Sequence, residues 1–377
     1  MKIAYICTGN PYDKHSWSGT DYYTRQSLED QGHEVYCIYG YKPRLPIAVI
    51  LKMIVAKLFG KIYSPVRNKQ ISDQWAQYIK QNIEKNTDAI FSIGTIPVAC
   101  LDTEIPIYIL VDGIFEQMRQ FYKWNDLSNQ CIKDSNEIER LALKKCKKII
   151  SCSEETGKFI VDYYKIPKEK LAIVPLGANL DCVPERESVF QSIMSRDKFI
   201  CNILFVGIDW ERKGADIVLE SVKLLHERGM NIVLHLCGLK NIPVELPPYV
   251  KNHGFLRKSD SKELNQLLAL YRTSHFLFVP SLAEAYGLVF CEASAYGLPS
   301  ISHRLGGLTT IVENGKNGQL FEKGTVPSVF ADYIERTYND VDKYIELSKN
   351  SRLRFEELLN WSVAGKSMTK LMDRNKI

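Results

Sequence analysis

The sequence has no Cys-x-x-Cys pair, no Gly-x-Gly-x-x-Gly turn after its first apolar run, no short-period repeat and no low-complexity tract. Its ten cysteines are scattered, several of them (Cys7, Cys37, Cys237) inside apolar runs. They read as small buried hydrophobes of a reducing compartment, not as a zinc ribbon or a thioredoxin-like centre. The first apolar run is followed by Gly9-Asn10-Pro11, which argues against a dinucleotide oxidoreductase. No stretch of about 18 apolar residues is free of charge, so no spanning helix is expected. Met1-Lys2-Ile3-Ala4-Tyr5-Ile6-Cys7 begins directly as a strand without a signal-peptide layout, and a cytoplasmic location is the expectation. The net charge of +5 over 377 residues is too weak to argue for nucleic acid. It suits an anionic small ligand or membrane surface.

What is present is a strand–helix alternation that runs twice. Apolar strands are expected at 2–9, 33–40, 89–94, 105–113, 148–153 and 171–179, with helices at 20–31 and 132–146. Uniformly apolar strands between helices imply a parallel sheet covered on both faces. Residues 180–200 carry Pro184, scattered charges and little periodicity, and read as a linker. The pattern restarts with strands at 202–207, 231–237, 275–280 and 299–302. Helices are expected at 215–228, from Ser259, and at 287–296. The expectation is an α/β protein with two Rossmann-like, doubly wound parallel-sheet domains. The first covers 1–180 and the second 201–355, with 181–200 between them and a charged helical tail, 356–377.

The richest segment is 279–318. Glu284 and Glu292 stand eight apart, the first in the loop after a strand and the second inside the next helix. Gly287 opens that helix. The unpaired amides and the positive dipole end of a helix N-terminus can hold a diphosphate. A carboxylate further along can accept from ribose, and one in the preceding loop can address a sugar. A second signal is the turn Ile208-Asp209-Trp210-Glu211-Arg212-Lys213-Gly214, a strand–loop–helix turn bearing two cations suited to a departing diphosphate. A third is Ser16-Trp17-Ser18-Gly19-Thr20, with Gly19 at the start of the first helix.

Together these three segments resemble the family-four retaining glycosyltransferases of GT-B fold, over nearly the whole chain and most strongly from 200 to 320. The resemblance implies two domains facing a cleft that holds a nucleotide-sugar, a co-substrate rather than a cofactor. It assigns Lys213, with Arg212, to the donor diphosphate, Glu284 to the transferred sugar, the Gly287 and Leu288 amides to phosphate, Glu292 to ribose and Gly19 to phosphate. The first domain would take the acceptor, and the final helix, around Trp361-Ser362-Val363 within 356–377, would cross back onto that domain. Departures are Ile208 where members often have Arg, Ser18 in place of a first glycine, and Asp112 near where many have His. Asp112 either accepts from a sugar hydroxyl, or stabilises positive charge at the anomeric carbon, or caps the next helix. No carboxylate is placed as a covalent nucleophile, and the resemblance implies retention, with the acceptor attacking on the face the leaving group departs from. No metal is expected: Asp340-Val341-Asp342 reads as a helix start. A nucleotide-sugar epimerase and a non-catalytic nucleotide-sugar-binding protein are the alternatives.

Residues 41–70 hold seven Lys or Arg and no Asp or Glu. Within them, 46–63 has a wide apolar face. Such a helix can lie in a bilayer interface, which would suit a lipid-linked acceptor, or it can pack its apolar face on the domain.

Overall fold

The computed structural model describes residues 1–373. It divides into two compact units, Met1–Pro175 with the chain from Trp361 onward, and Leu176–Asn360. In the first, β1 (Lys2–Ile6), β2 (Glu34–Ile38), β3 (Ala89–Ile93), β4 (Ile107–Val111), β5 (Lys148–Ser151) and β6 (Leu171–Ile173) form one sheet. Its order is β2-β1-β3-β4-β5-β6, all parallel. The helices are α1 (Thr20–Glu29), α2 (Ile47–Leu58), α3 (Lys69–Asn82), α4 (Phe115–Phe121), α5 (Asn129–Lys145) and α6 (Glu154–Tyr164). Every residue of β3 and β4 is buried, as a strand covered on both faces requires. Ile71, Trp75 and Ile79 of α3 and Ile138 of α5 share one core cluster with Ile90 and Ile109 of the sheet.

The second unit repeats the plan with β7 (Cys201–Val206), β8 (Ile232–Cys237), β9 (Val250–Asn252), β10 (Phe276–Phe278), β11 (Ser300–His303) and β12 (Gly318–Phe321). Its order is β12-β11-β10-β7-β8-β9, again parallel. The helices are α7 (Arg186–Ser195), α8 (Ala215–Glu227), α9 (Ser261–Thr273), α10 (Leu288–Ala295), α11 (Leu308–Ile311), α12 (Pro327–Asn339) and α13 (Val341–Glu357). The last helix, α14 (Trp361–Met372), belongs to the first unit. There Trp361 stacks on Tyr23, ring centroids 6.2 Å apart.

Three expectations are corrected. The stretch 180–200 is not an irregular linker: it contains α7, which turns Val189 and Ile193 inward. The buried Arg196 guanidinium after it donates to the Tyr296 and Gly297 carbonyls at 2.8 and 3.0 Å. That tie makes the segment part of the second unit, which begins at Leu176 and runs to Asn360 rather than 355. Asp260, not Ser259, starts α9, its carboxylate accepting from the amides of Lys262 and Glu263. And α2 does not pack its apolar face inward. Only Val49 and Ala56 of α2 are buried, while its large aliphatics are exposed.

In each sheet the strand order reverses at one place, between β1 and β3 and between β7 and β10. Chains leaving the carboxyl ends of two such strands diverge, opening a crevice in which ligands of α/β sheets bind.

Candidate functional site

In the second unit, the loops after β7 and β10 leave from the two strands that flank the reversal. Their backbones are tied: Leu282 N–H donates to the Arg212 carbonyl at 2.7 Å, and Arg212 Nη1 donates to the Ala283 carbonyl at 3.1 Å. Beside this tie the Lys213 ammonium pairs with the Glu284 carboxylate. Ser281 Oγ also donates to Glu284, at 3.3 Å. Lys213 and Glu284 are each 8% exposed. A charge this buried persists only with a partner, so each fixes the other's position.

Gly287 caps α10 with φ 101° and ψ 59°, a left-handed conformation that glycine adopts without cost. The first amides of the helix follow directly after it. Behind the Glu284 loop, Gly306 (φ 52°) approaches so closely that a Cβ there would sit 1.9 Å from the Glu284 carbonyl oxygen. One turn into α10, Glu292 is 5% exposed. It pairs with the Lys258 ammonium and accepts from Tyr271 Oη–H at 3.0 Å. Burial and the Glu292 carboxylate push the Tyr271 hydroxyl well above the usual tyrosine range, so it acts as donor. A carboxylate offers about four acceptor positions, which leaves Glu292 capacity for further hydroxyls.

The structure thus brings Arg212, Lys213, Glu284, Gly287, Leu288 and Glu292 into one group of linked loops. The sequence missed Ser281, Lys258 and Tyr271. Arg257-Lys258 precedes a capped helix, the same signal as Arg212-Lys213, and was legible. Tyr271 gave none, since only the packing of α9 aims it at Glu292. Where Arg was noted as usual, Ile208 is exposed. Asp340 caps α13, accepting from Lys343 N–H at 3.1 Å.

Gly19 and Asp112 lie in the first unit instead. Trp17 (φ 45°), Ser18 (φ 56°) and Gly19 (φ 89°) form three successive left-handed residues. Two of the three carry a Cβ, so the turn into α1 is held under strain. Next to it, at the reversal between β1 and β3, is a cavity of about 390 Å³ lined in part by Ser16, Trp17, Asp21, Arg67, Asp112 and Glu139. Burial raises the Asp21 carboxyl above its usual range, an effect opposed by the 2.6 Å bond from Ser16 Oγ–H. Arg67 is paired with the buried Glu139, and burial lowers its guanidinium to about 10, still charged at neutral pH. Asp112 is not a helix cap: Ile114 holds that position for α4. Sequence reasoning missed Arg67 and Glu139.

Two family models match this chain, Glycosyl transferases group 1 over residues 193–354 and Glycosyltransferase Family 4 over residues 22–181. D-inositol 3-phosphate glycosyltransferase of Corynebacterium efficiens is 25% identical over 228 residues, covering 56% of this chain and 53% of that protein. The chain therefore spans about half the length of the curated relatives it matches. Sucrose-phosphate synthase of Thermosynechococcus elongatus superposes with a TM-score of 0.68 at 18% identity, over 98% of each chain. HepE of Anabaena, solved in complex with UDP, superposes with a TM-score of 0.64 at 14% identity, over 98% of this chain and 99% of that one. The fold these solved structures share with the chain is GT-B.

Proposed function

The chain belongs to the group 1, family 4 glycosyltransferases, and on that premise we propose that it transfers a sugar, with retained anomeric configuration, from a nucleotide-sugar to a hydroxyl acceptor. The observation that carries this is the buried Lys213–Glu284 pair at the strand-order reversal of the second sheet, directly ahead of the Gly287-capped α10. The donor diphosphate sits on the first amides of α10 and draws on the Lys213 and Arg212 cations. Glu284 accepts from hydroxyls of the transferred sugar, and Glu292, held by Lys258 and Tyr271, from the ribose. UDP is the favoured nucleotide, because a protein of the same fold, HepE, holds it.

In the reaction, the bond from the anomeric carbon to the phosphate oxygen breaks. The acceptor oxygen bonds to that carbon on the face the diphosphate leaves. The acceptor's proton passes to the departing phosphate oxygen. The protein supplies positioning and fixed positive charge where negative charge develops. No metal is assigned to any step. The acceptor is assigned to the Asp112 cavity, where Asp112, Asp21 and the paired Arg67 are side chains suited to hydroxyls. A glycolipid or polysaccharide precursor is the proposed acceptor class.

The test is proton NMR of the product formed from a UDP-sugar of known anomeric configuration, with chelator present. Product of the same configuration is expected. Inverted product, or turnover abolished by the chelator, would overturn the mechanism.

A further inference from the structure

α2 is amphipathic in the wrong direction for a helix that only supports a core. On a helical wheel Ile47, Ile50, Leu51, Ile54, Val55 and Leu58 fall on one side, and all six are exposed. Ile47 is 79% and Leu58 77% exposed, and Phe59 directly after the helix is 78% exposed. The inner side carries the small residues Val49 and Ala56. They pack with Tyr63, Cys131, Met53 and Leu127 in a small apolar cluster, and Lys52 beside them pairs with Asp134 at 2.7 Å, so the helix is held to the domain by this side. A soluble monomer seldom presents a contiguous apolar patch of this kind without a partner.

We infer that the outward face of α2 docks on an anionic lipid bilayer. The charge around it selects this occupant. On the helical wheel Lys57 borders the apolar face; Lys42 and Arg44 lie in the chain just before α2 and Lys61 just after it, and no acidic residue lies between 41 and 70. Among the described residues Lys42, Arg44 and Lys57 make no ion pair, which leaves them available to phosphate headgroups. A second copy of this chain seated face to face would bring these cations against their equivalents. The helix has 12 residues, about 18 Å, too short for a hydrocarbon core of about 30 Å. It therefore lies in the interface plane, with the apolar side down and the lysines at headgroup level. No described helix is long and apolar enough to cross a membrane. Each cation near an anionic surface strengthens binding about fivefold, so the three unpaired ones supply roughly a hundredfold at low salt.

This inference does not rest on the transfer reaction, and its test reads binding alone. The full chain is floated with vesicles of phosphatidylcholine containing phosphatidylglycerol, and with vesicles of phosphatidylcholine alone. Expected is association with the anionic vesicles, weakened by salt. It should fall at least tenfold in Ile54→Asp/Leu58→Asp and comparably in Lys42→Glu/Arg44→Glu/Lys57→Glu. All these positions are exposed, and an unchanged thermal midpoint in the variants shows that the fold is intact. Absence of association with anionic vesicles, or equal association of wild type and both variants, would overturn the inference. So would a dimer in sedimentation equilibrium that the Ile54→Asp/Leu58→Asp change disperses while vesicles bind nothing, since the occupant would then be a second copy.

Discussion

Replacing Lys213 by alanine should act on stability and chemistry separately, and the two can be told apart. Lys213 and Glu284 have side chains 10% and 11% exposed. For an ordinary ion pair, about 3 Å apart at an effective dielectric of about 20, the attraction is roughly 5 kcal/mol, most of it offset by desolvation. Removing only the lysine leaves the carboxylate buried without its counter-charge, which costs roughly 3 kcal/mol. For a unit of this size that lowers the unfolding midpoint by about 6–12 °C. Removing both groups takes away the unpaired charge, so Lys213→Ala/Glu284→Ala should recover most of the loss. Turnover should not recover, because the diphosphate still lacks its cation. Calorimetry on the two single variants and the double, with turnover on the same samples, completes the cycle. A Lys213→Ala midpoint equal to wild type, or a double variant as unstable as the sum of the singles, would refute the coupling. Near wild-type turnover in Lys213→Ala would refute its role.

Two further outcomes follow from the same unit. Gly306→Ala forces a Cβ against the Glu284 carbonyl from a backbone with φ 52°, so it should cost about 2 kcal/mol or more and weaken nucleotide binding. A denaturation midpoint and a binding isotherm that both match wild type would contradict this. Acid should destabilise the second unit through His275. Burial, then the nearby Arg196 charge, lowers its ring to about 4, and its Nδ1 accepts from Asn202 N–H at 2.9 Å. The unfolded chain takes up the proton near pH 6.5 and the folded chain only near 4. Stability present above 6.5 is therefore lost as the pH falls between these values, by about 1–3 kcal/mol. Denaturant midpoints across that range should slope downward toward acid in wild type and less steeply in His275→Gln; parallel slopes would contradict the assignment.

Strands buried on both faces were legible because such strands are written as unbroken apolar runs. AIFSI and IYILV are the cases, β3 and β4. The edge strands β9 and β12 escaped: Val-Lys-Asn and Gly-Gln-Leu-Phe are short and half-polar, as an edge allows. α7 was read as linker because only Val189 and Ile193 face inward among its charges. Its order comes from Arg196, whose carbonyl partners lie about a hundred residues away. The site divides in the same way. Lys213, Glu284 and Gly287 are fixed by local strand–loop–helix turns, and the sequence carries those turns. Arg257-Lys258 repeats the basic pair before a capped helix and could have been read in the same way, whereas Tyr271 meets Glu292 only through the packing of α9. Likewise, whether Asp112 caps α4 or lines the cavity was decided by Ile114, one position that the local pattern does not specify.

The measurement that bears most directly on the donor site is thermal unfolding of wild type and Glu292→Ala against UDP, GDP, ADP, TDP and their common sugars. Ligand at about 100 times its dissociation constant adds about 2.7 kcal/mol of stability. Expected is a rise in the wild-type midpoint with one nucleotide family, UDP first, and its loss in Glu292→Ala. No rise with any nucleotide diphosphate, or an equal rise in the variant, would contradict a donor site built on Glu292 and α10.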